Sequence, residues 1–372
     1  MKCCINCFYD KDIRERITSL NNRSDCDLCG TRETNVLELN NIEESSIQNN
    51  IIKNIVSDFD NLLSEFTNNF DEKYSNYAHK LSDYLEKYTN IFAIPEDDIS
   101  KFLKSLFPSL YKENPSLFNS VVVPTYLLNP EKVETNGIFK GHSWDEFKKD
   151  IQYNNRFHST MVNDNILLDF FRDCSVTRSG KTRLYRARVS DKGSIFTPEE
   201  MWAAPNGIAS AGRLNASGIG YLYLCEDSNT PLQEVKSSVN DICTVAVFEI
   251  REEQSLCLTD LSQLSNISVF TSPDLTRYLM NQKILQDIDK SMGETSNKNR
   301  SDIDYAPTEY MSDLIKSTGV DGIMYKSTLD KDVNNVVLFN GLQSNNKISQ
   351  LTSEIKTYKI KNISYRTNIF RE

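Results

Sequence analysis

The hydrophobic period changes once along the chain, near residue 175, and that change limits the fold more than any other feature. Upstream, from about 45 to 172, apolar residues recur every three or four positions. Ile52, Ile55, Val56, Phe59, Leu62, Leu63, Phe66 and Phe70 make one stripe, and Tyr77, Leu81, Tyr84, Leu85 and Tyr88 a second. Such stripes belong to amphipathic helices. Pro95 interrupts them, and Asp97 or Asp98 can cap the next apolar segment, ISKFLKSLF. Ser143 and Glu146 form a capping box ahead of Phe147 and Ile151, and ILLDFF ends the helical stretch near Arg172. Downstream, LYRARV, GYLYLC, ICTVAVFEI, CLTDL, GIMYKS and NVVLFN are short β-rich runs set off by Gly, Pro, Asn and Asp. Helical stretches fall between some of them, around 230–238, 273–288 and 306–317. Strands with irregularly inserted helices predict an α+β domain and not an alternating parallel sheet. The segment ETSNKNRSD (294–302) reads as an exposed loop.

At 372 residues the chain is long enough for two or three domains. Its net charge of −10 argues against a protein that coats nucleic acid, which needs a concentrated positive surface, but leaves room for a local anion site. No apolar run approaches the ~18 residues of a membrane span, and MKCCINCFYDKD lacks the core of a secretory signal. These features point to a soluble cytoplasmic protein.

Five of the nine cysteines, Cys3, Cys4, Cys7, Cys26 and Cys29, crowd into the first 29 residues. Cys4-x-x-Cys7 and Cys26-x-x-Cys29 are two hooks with 18 residues between them, a spacing that suits four thiolates around one structural Zn²⁺. Gly30 follows the second hook and suits its turn; Cys3 is a bystander. Two disulfides or free thiols are the alternative, less suited to a reducing compartment. Cys225 and Cys243 sit in apolar runs and read as small buried hydrophobes.

SGKT at 179–182 resembles the end of a phosphate-binding loop, but position 175 is Ser where that loop needs Gly. It reads as a basic linker between a helix and LYRARV. In LYRARV, alternation puts Arg186 and Arg188 on one strand face. Taken alone, the pair suits an anion clamp or a solvated edge strand. Next come Gly212, Arg213, Asn215, Gly218 and Gly220, a loop that can approach a phosphate closely, and then a strand carrying Tyr223. Thr230 as N-cap, Pro231 at N1 and Gln233 at N3 would start a helix with Glu234 in its first turn, where the positive helix end favours a carboxylate. Tyr325, Lys326 and Ser327 close a later strand.

The pattern GRLNxxGxxYLYLxxDxxTxLxEV resembles the core of the RES domain family, named for its Arg, Glu and Ser, over roughly residues 182–342. The resemblance implies an ADP-ribosyltransferase-like fold and a toxin that acts on NAD. It assigns the signature residues to Arg186, Glu234 and Ser327, and the flanks of the NAD pocket to Arg213 and Tyr223. Ala211-Gly212-Arg213-Leu214-Asn215 departs from the family's usual Gly-Gly-Arg-Trp-Asn by lacking the tryptophan. The expected organisation is a zinc ribbon at 1–35, a helical HEPN-like domain at 36–176 and a RES domain at 177–372. The expected activity is cleavage of the nicotinamide–ribose bond, as a glycohydrolase or a phosphorylase, in a toxin–antitoxin or phage-defence role. An antitoxin or regulatory partner, and self-association, go with that role. The alternatives are an ADP-ribosyltransferase acting on protein or nucleic acid, and a non-catalytic zinc-ribbon sensor with a nucleotide-binding domain.

Overall fold

The structure is a computed structural model, and it describes residues 1–190, 193–235, 237–271, 274–293, 302–327, 329, 332–340 and 346–362. The fold is mixed α+β, and the chain divides into two compact units. One comprises Met1–Trp144, Met161–Ile166 and Ser265–Asp287; the other comprises Asp145–Thr160, Leu167–Leu264 and Ile288–Glu372.

The first unit begins with β1 (Lys2–Cys4), α1 (Lys11–Ser19), β2 (Arg23–Ser24) and β3 (Thr34–Glu38). The strands form an antiparallel sheet in the order β1-β3-β2. Then follow α2 (Ile42–Gln48), α3 (Asn50–Ser64), β4 (Phe66–Thr67), β5 (His79–Lys80), α4 (Leu81–Tyr88), α5 (Glu96–Leu106), α6 (Pro108–Glu113), α7 (Pro115–Asn119), β6 (Val121–Pro124) and α8 (Pro130–Asn136). The first predicted stripe is α3, whose Ile55, Phe59, Leu62 and Leu63 are buried. It ends at Ser64, six residues short of Phe70, where the apolar stripe ends. Phe66 instead pairs with Pro124 in a small sheet of order β4-β6-β5, and Tyr77 lies in a 3-10 turn ahead of α4. A pleated apolar residue and a helical one look alike when a strand has only two residues. The core of this unit is a cluster of rings, with Phe8, Phe59, Phe92 and Phe102 at centroid distances of 5.3–6.5 Å.

The second unit contains α9 (Trp144–Tyr153), which starts directly after Ser143 as expected, and α10 (Asp164–Asp173). Both helices straddle the division between the units at their first residues. Then come β7 (Ser175–Ser179), β8 (Arg183–Ser190), β9 (Leu222–Cys225), α11 (Thr230–Glu234), β10 (Ile242–Ile250), β11 (Ser255–Asp260), α12 (Leu275–Gly293), which belongs to the first unit up to Asp287, α13 (Asp302–Ser317), β12 (Gly322–Lys326), β13 (Asn334–Leu338), β14 (Ile348–Gln350) and β15 (Lys356–Lys359). All six predicted β-runs are strands. SGKT follows a strand and not a helix, because SVTRS forms β7, and it turns the chain into β8. The exposed loop expected at 294–302 lies outside the described residues except for Asp302, which opens α13.

The sheet order is β14-β10-β8-β9-β13-β12-β11-β7, with β15 also on β10. Among the described strands only the β11–β12 pairing is parallel, since α12 and α13 lie between those strands in sequence. One side of the sheet is closed by a core that includes Leu184, Leu222, Leu224, Phe248, Leu258, Met324, Val336 and Leu338.

Candidate functional site

β8 pairs with β10 over eight positions, from Arg183↔Glu249 to Ser190↔Ile242. Its pairing with β9 on the other side is a single position, Tyr185↔Cys225. Beyond that point the two strands separate, and a cavity of about 250 Å³ lies between them. Its walls are Tyr185, Arg186 and Ala187 of β8, Tyr223, Leu224 and Cys225 of β9, Pro231 and Glu234 of α11, Val235, Tyr325 and Asn335. The register runs from Tyr185 to Cys225 to Asn335 to Tyr325, so these four side chains form one row across four adjacent strands.

Arg186 sits where β8 leaves β9. Its Nε and Nη1 are buried and meet no hydrogen-bond partner among the described residues. Burial, reinforced by the nearby Arg188 cation, pulls its pKa down to about 10, so it remains charged at neutral pH. A buried cation with unused donors is costly unless an anion completes it. The two arginines do not form a shared clamp. Arg188 lies over the Phe196 ring at 4.1 Å and donates from Nη1 to the Glu200 carbonyl at 2.5 Å.

Glu234 lines the same cavity as Arg186, but the helix supports it differently from the expectation. Asn229 is the N-cap, without a side-chain capping bond, and Thr230 is already the first helical residue. The capping box does not form because the Asp227 carboxylate replaces it, accepting from the Asn229 and Thr230 amides at 2.8 Å and from Thr230 Oγ1 at 3.0 Å. Glu234 therefore ends a five-residue helix, away from the positive end. What holds it is β-sheet chemistry. Its Oε1 accepts from Ser327 Oγ at 2.7 Å and from Asn335 Nδ2 at 3.0 Å. Ser327 is buried, and its Oγ also accepts from the Leu329 amide at 3.2 Å.

Arg213 is not a cavity wall. Its Nη1 donates to the Met292 carbonyl at 2.7 Å and its guanidinium carbon lies 5.5 Å from the centroid of Tyr325, which is a wall. Tyr223 lines the cavity with its ring while its hydroxyl serves the glycine loop, donating to Asn215 Oδ1 at 2.7 Å and accepting from the Leu214 amide at 3.2 Å. Gly212 is required there: a Cβ would lie 2.6 Å from Asn215 Oδ1 and 2.8 Å from the Tyr223 hydroxyl. Burial raises the pKa of Tyr223 well above the usual phenol range and that of Tyr325 to about 12, so both rings stay neutral. Asn335 and Tyr185 escaped the sequence reading. The available signal for Asn335 was a poor strand former opening the apolar run VVL.

The RES domain family matches residues 183–353, which contain every one of these cavity walls. This segment is a RES domain. No curated protein matches the chain. Among solved structures, a chain in the crystal structure of the M. tuberculosis MbcT-MbcA toxin-antitoxin complex is similar over 52% of this chain and 92% of that one, at 10% identity and a TM-score of 0.31.

N-terminal in sequence to the RES domain, Cys4, Cys7, Cys26 and Cys29 bring their sulfurs within 4.8 Å of one another. Separations of 3.9 Å (Cys4–Cys7), 3.3 Å (Cys4–Cys29) and 3.5 Å (Cys7–Cys26) are too long for disulfides. They approach the ~3.8 Å edge of a tetrahedron with Zn–S bonds of about 2.3 Å. Gly30 supplies the knuckle turn with φ +72°. Burial and the neighbouring Cys29 push the Cys4 thiol above its usual range. Four sulfurs clustered at these separations fit Zn²⁺, which would hold them as thiolates. No described helix is long and apolar enough to cross a membrane.

Proposed function

We propose that the RES domain cleaves the nicotinamide–ribose bond of NAD. The observation that carries this reading is one cavity walled by an unpartnered buried guanidinium and a carboxylate tethered through one oxygen. At about 250 Å³ the cavity is smaller than the roughly 300–1,000 Å³ of sites that enclose a whole ligand. It takes the nicotinamide-ribose half, with the adenosine half outside. Arg186 binds the adjoining phosphate through Nε and Nη1. Tyr185, Tyr223 and Tyr325 offer neutral ring surfaces to the cationic pyridinium.

The C1′–N bond breaks with its electron pair leaving on the nicotinamide nitrogen, and positive charge develops on the ribose. The Glu234 carboxylate stabilises that charge more than it stabilises the ground state, which lowers the barrier. Ser327 is an orienting donor, because its proton is directed at Glu234. Water as acceptor makes a glycohydrolase and phosphate a phosphorylase.

In the same reading Zn²⁺ is structural, since four thiolates leave no position for substrate. It holds a ribbon at 1–35, followed by a HEPN-like region at 36–176, and the RES domain extends over 177–372. The protein is cytoplasmic, acts as a toxin in toxin–antitoxin or phage-defence systems, and is restrained by an antitoxin or other regulatory partner. The test is to incubate purified protein with NAD and follow nicotinamide, with and without phosphate. Release that depends on Glu234 supports the reading, and its dependence on phosphate names the acceptor. A wild-type protein as inert as Glu234→Ala under both conditions removes it.

A further inference from the structure

Asn335 is almost fully buried on β13, a strand flanked on both sides, where an amide side chain is a poor choice on packing grounds. The register sets it directly opposite Cys225 of β9 and Tyr325 of β12, in the row that walls the cavity. Its Nδ2 donates to Glu234 Oε1, the oxygen that also receives the Ser327 hydroxyl. Both bonds end on one oxygen, and Oε2 has no hydrogen-bond partner among the described residues.

We infer that Asn335 is a positioning residue that, together with Ser327, fixes which oxygen of Glu234 faces the sugar. A carboxylate held by one donor can rotate about its last bond and exchange its oxygens. Two donors converging on Oε1, one from β13 and one just past the end of β12, remove that freedom. Oε2 is then left to accept from a ribose hydroxyl and to face the developing cation. An amide suits this task because it donates without bringing a competing charge; a carboxylate at the same place would repel Glu234. The inference rests on the proposed NAD cleavage and deepens it. Asn335 acts through Glu234 and does not itself touch the reacting bond.

The experiment is a double-mutant cycle with wild type, Asn335→Ala, Glu234→Gln and the double variant, each measured for nicotinamide release. Asn335→Ala is expected to lower kcat about 10- to 100-fold, the value of one or two buried hydrogen bonds to a charged group, with KM within about twofold. Because the effect passes through Glu234, adding Asn335→Ala to Glu234→Gln should lower kcat no further. A multiplicative loss in the double variant, or a raised KM at unchanged kcat, would overturn the positioning role in favour of simple packing. Unfolding midpoints of the same four proteins give a second reading that needs no turnover. Strong non-additivity between the sites supports the Asn335–Glu234 link, and additivity refutes it. If wild type itself releases no nicotinamide, the NAD reading fails, and the unfolding cycle still decides the link.

Discussion

Ser327 Oγ donates to Glu234 Oε1 at 2.7 Å, joining the end of β12 to the end of α11 across 93 positions of sequence. The serine proton is thereby directed at a carboxylate, and the same oxygen accepts from the Leu329 amide. Ser327→Ala removes the donor and leaves that amide without its acceptor. The expected result is a loss of about 1–2 kcal/mol of stability and a 10- to 100-fold lower kcat. Quenched reactions analysed by mass spectrometry should carry no ADP-ribosyl adduct on Ser327. An adduct there would make the serine a nucleophile and reverse its assignment.

Arg186 should show a conflict between stability and function. Its Nε and Nη1, buried without a partner among the described residues, cost the fold free energy that a bound anion would return. Arg186→Met keeps much of the volume and removes the charge. It is expected to raise the melting temperature by roughly 2–4 °C, equivalent to about 1 kcal/mol, while abolishing NAD cleavage. Calorimetry beside the nicotinamide assay checks both halves. A variant that is less stable and inactive would mean that Arg186 has a structural partner.

The glycine loop gives a sharper steric test. Gly212→Ala places a methyl group between Asn215 Oδ1 and the Tyr223 hydroxyl, which are themselves bonded at 2.7 Å. The pair must part, at a cost of about 1–3 kcal/mol. Gly218→Ala, with no neighbour within 4 Å but a φ of +88°, should cost only about 1 kcal/mol of backbone strain. Comparing the two by thermal melts separates crowding from conformation; equal losses would count against the crowding argument.

Much of this architecture was legible because its signals are local. The six β-runs are bounded by turn residues, and six of the eight residues of the first apolar stripe lie in α3. The two CxxC hooks specify their own clustering. Cap chemistry misled at α11 because Thr230 and Gln233 satisfy the rule for a helix start, whereas Asp227 three residues upstream takes the bonds. The separation of β8 from β9 has no local signature at all. It follows from how many positions two distant strands share, and so Asn335 and Tyr185 became visible only through the register.

Zinc in the cysteine cluster should be measurable directly. Metal analysis is expected to find about one Zn²⁺ per chain. Cys26→Ser or Cys29→Ser should lose it, because each removes one of the four sulfurs. Cys3→Ser is the control: Cys3 lies beside the cluster on β1, opposite Leu37, and should leave the metal content unchanged. Loss of metal in Cys3→Ser would make it a ligand.

Glu309 on α13 predicts a pH dependence of stability near neutrality. Burial raises its carboxyl pKa to about 7; the Arg156 cation opposes the shift, and Asp313 and Asp302 reinforce it. In the unfolded chain the group titrates near its ordinary value of about 4.3. Between those values the unfolded state has released the proton and the folded state still holds it, so stability falls as pH rises from about 4.3 to 7 and levels off above. Glu309→Gln removes the titration. Relative to wild type it should be neutral near pH 4 and more stable by about 1 kcal/mol at pH 8, a figure kept below the full conversion because the carboxylate retains some access to water. Melting temperatures of the two proteins across pH 4–8 read this difference directly. Parallel curves would mean that Glu309 is already ionised in the folded protein, with Arg156 outweighing its burial.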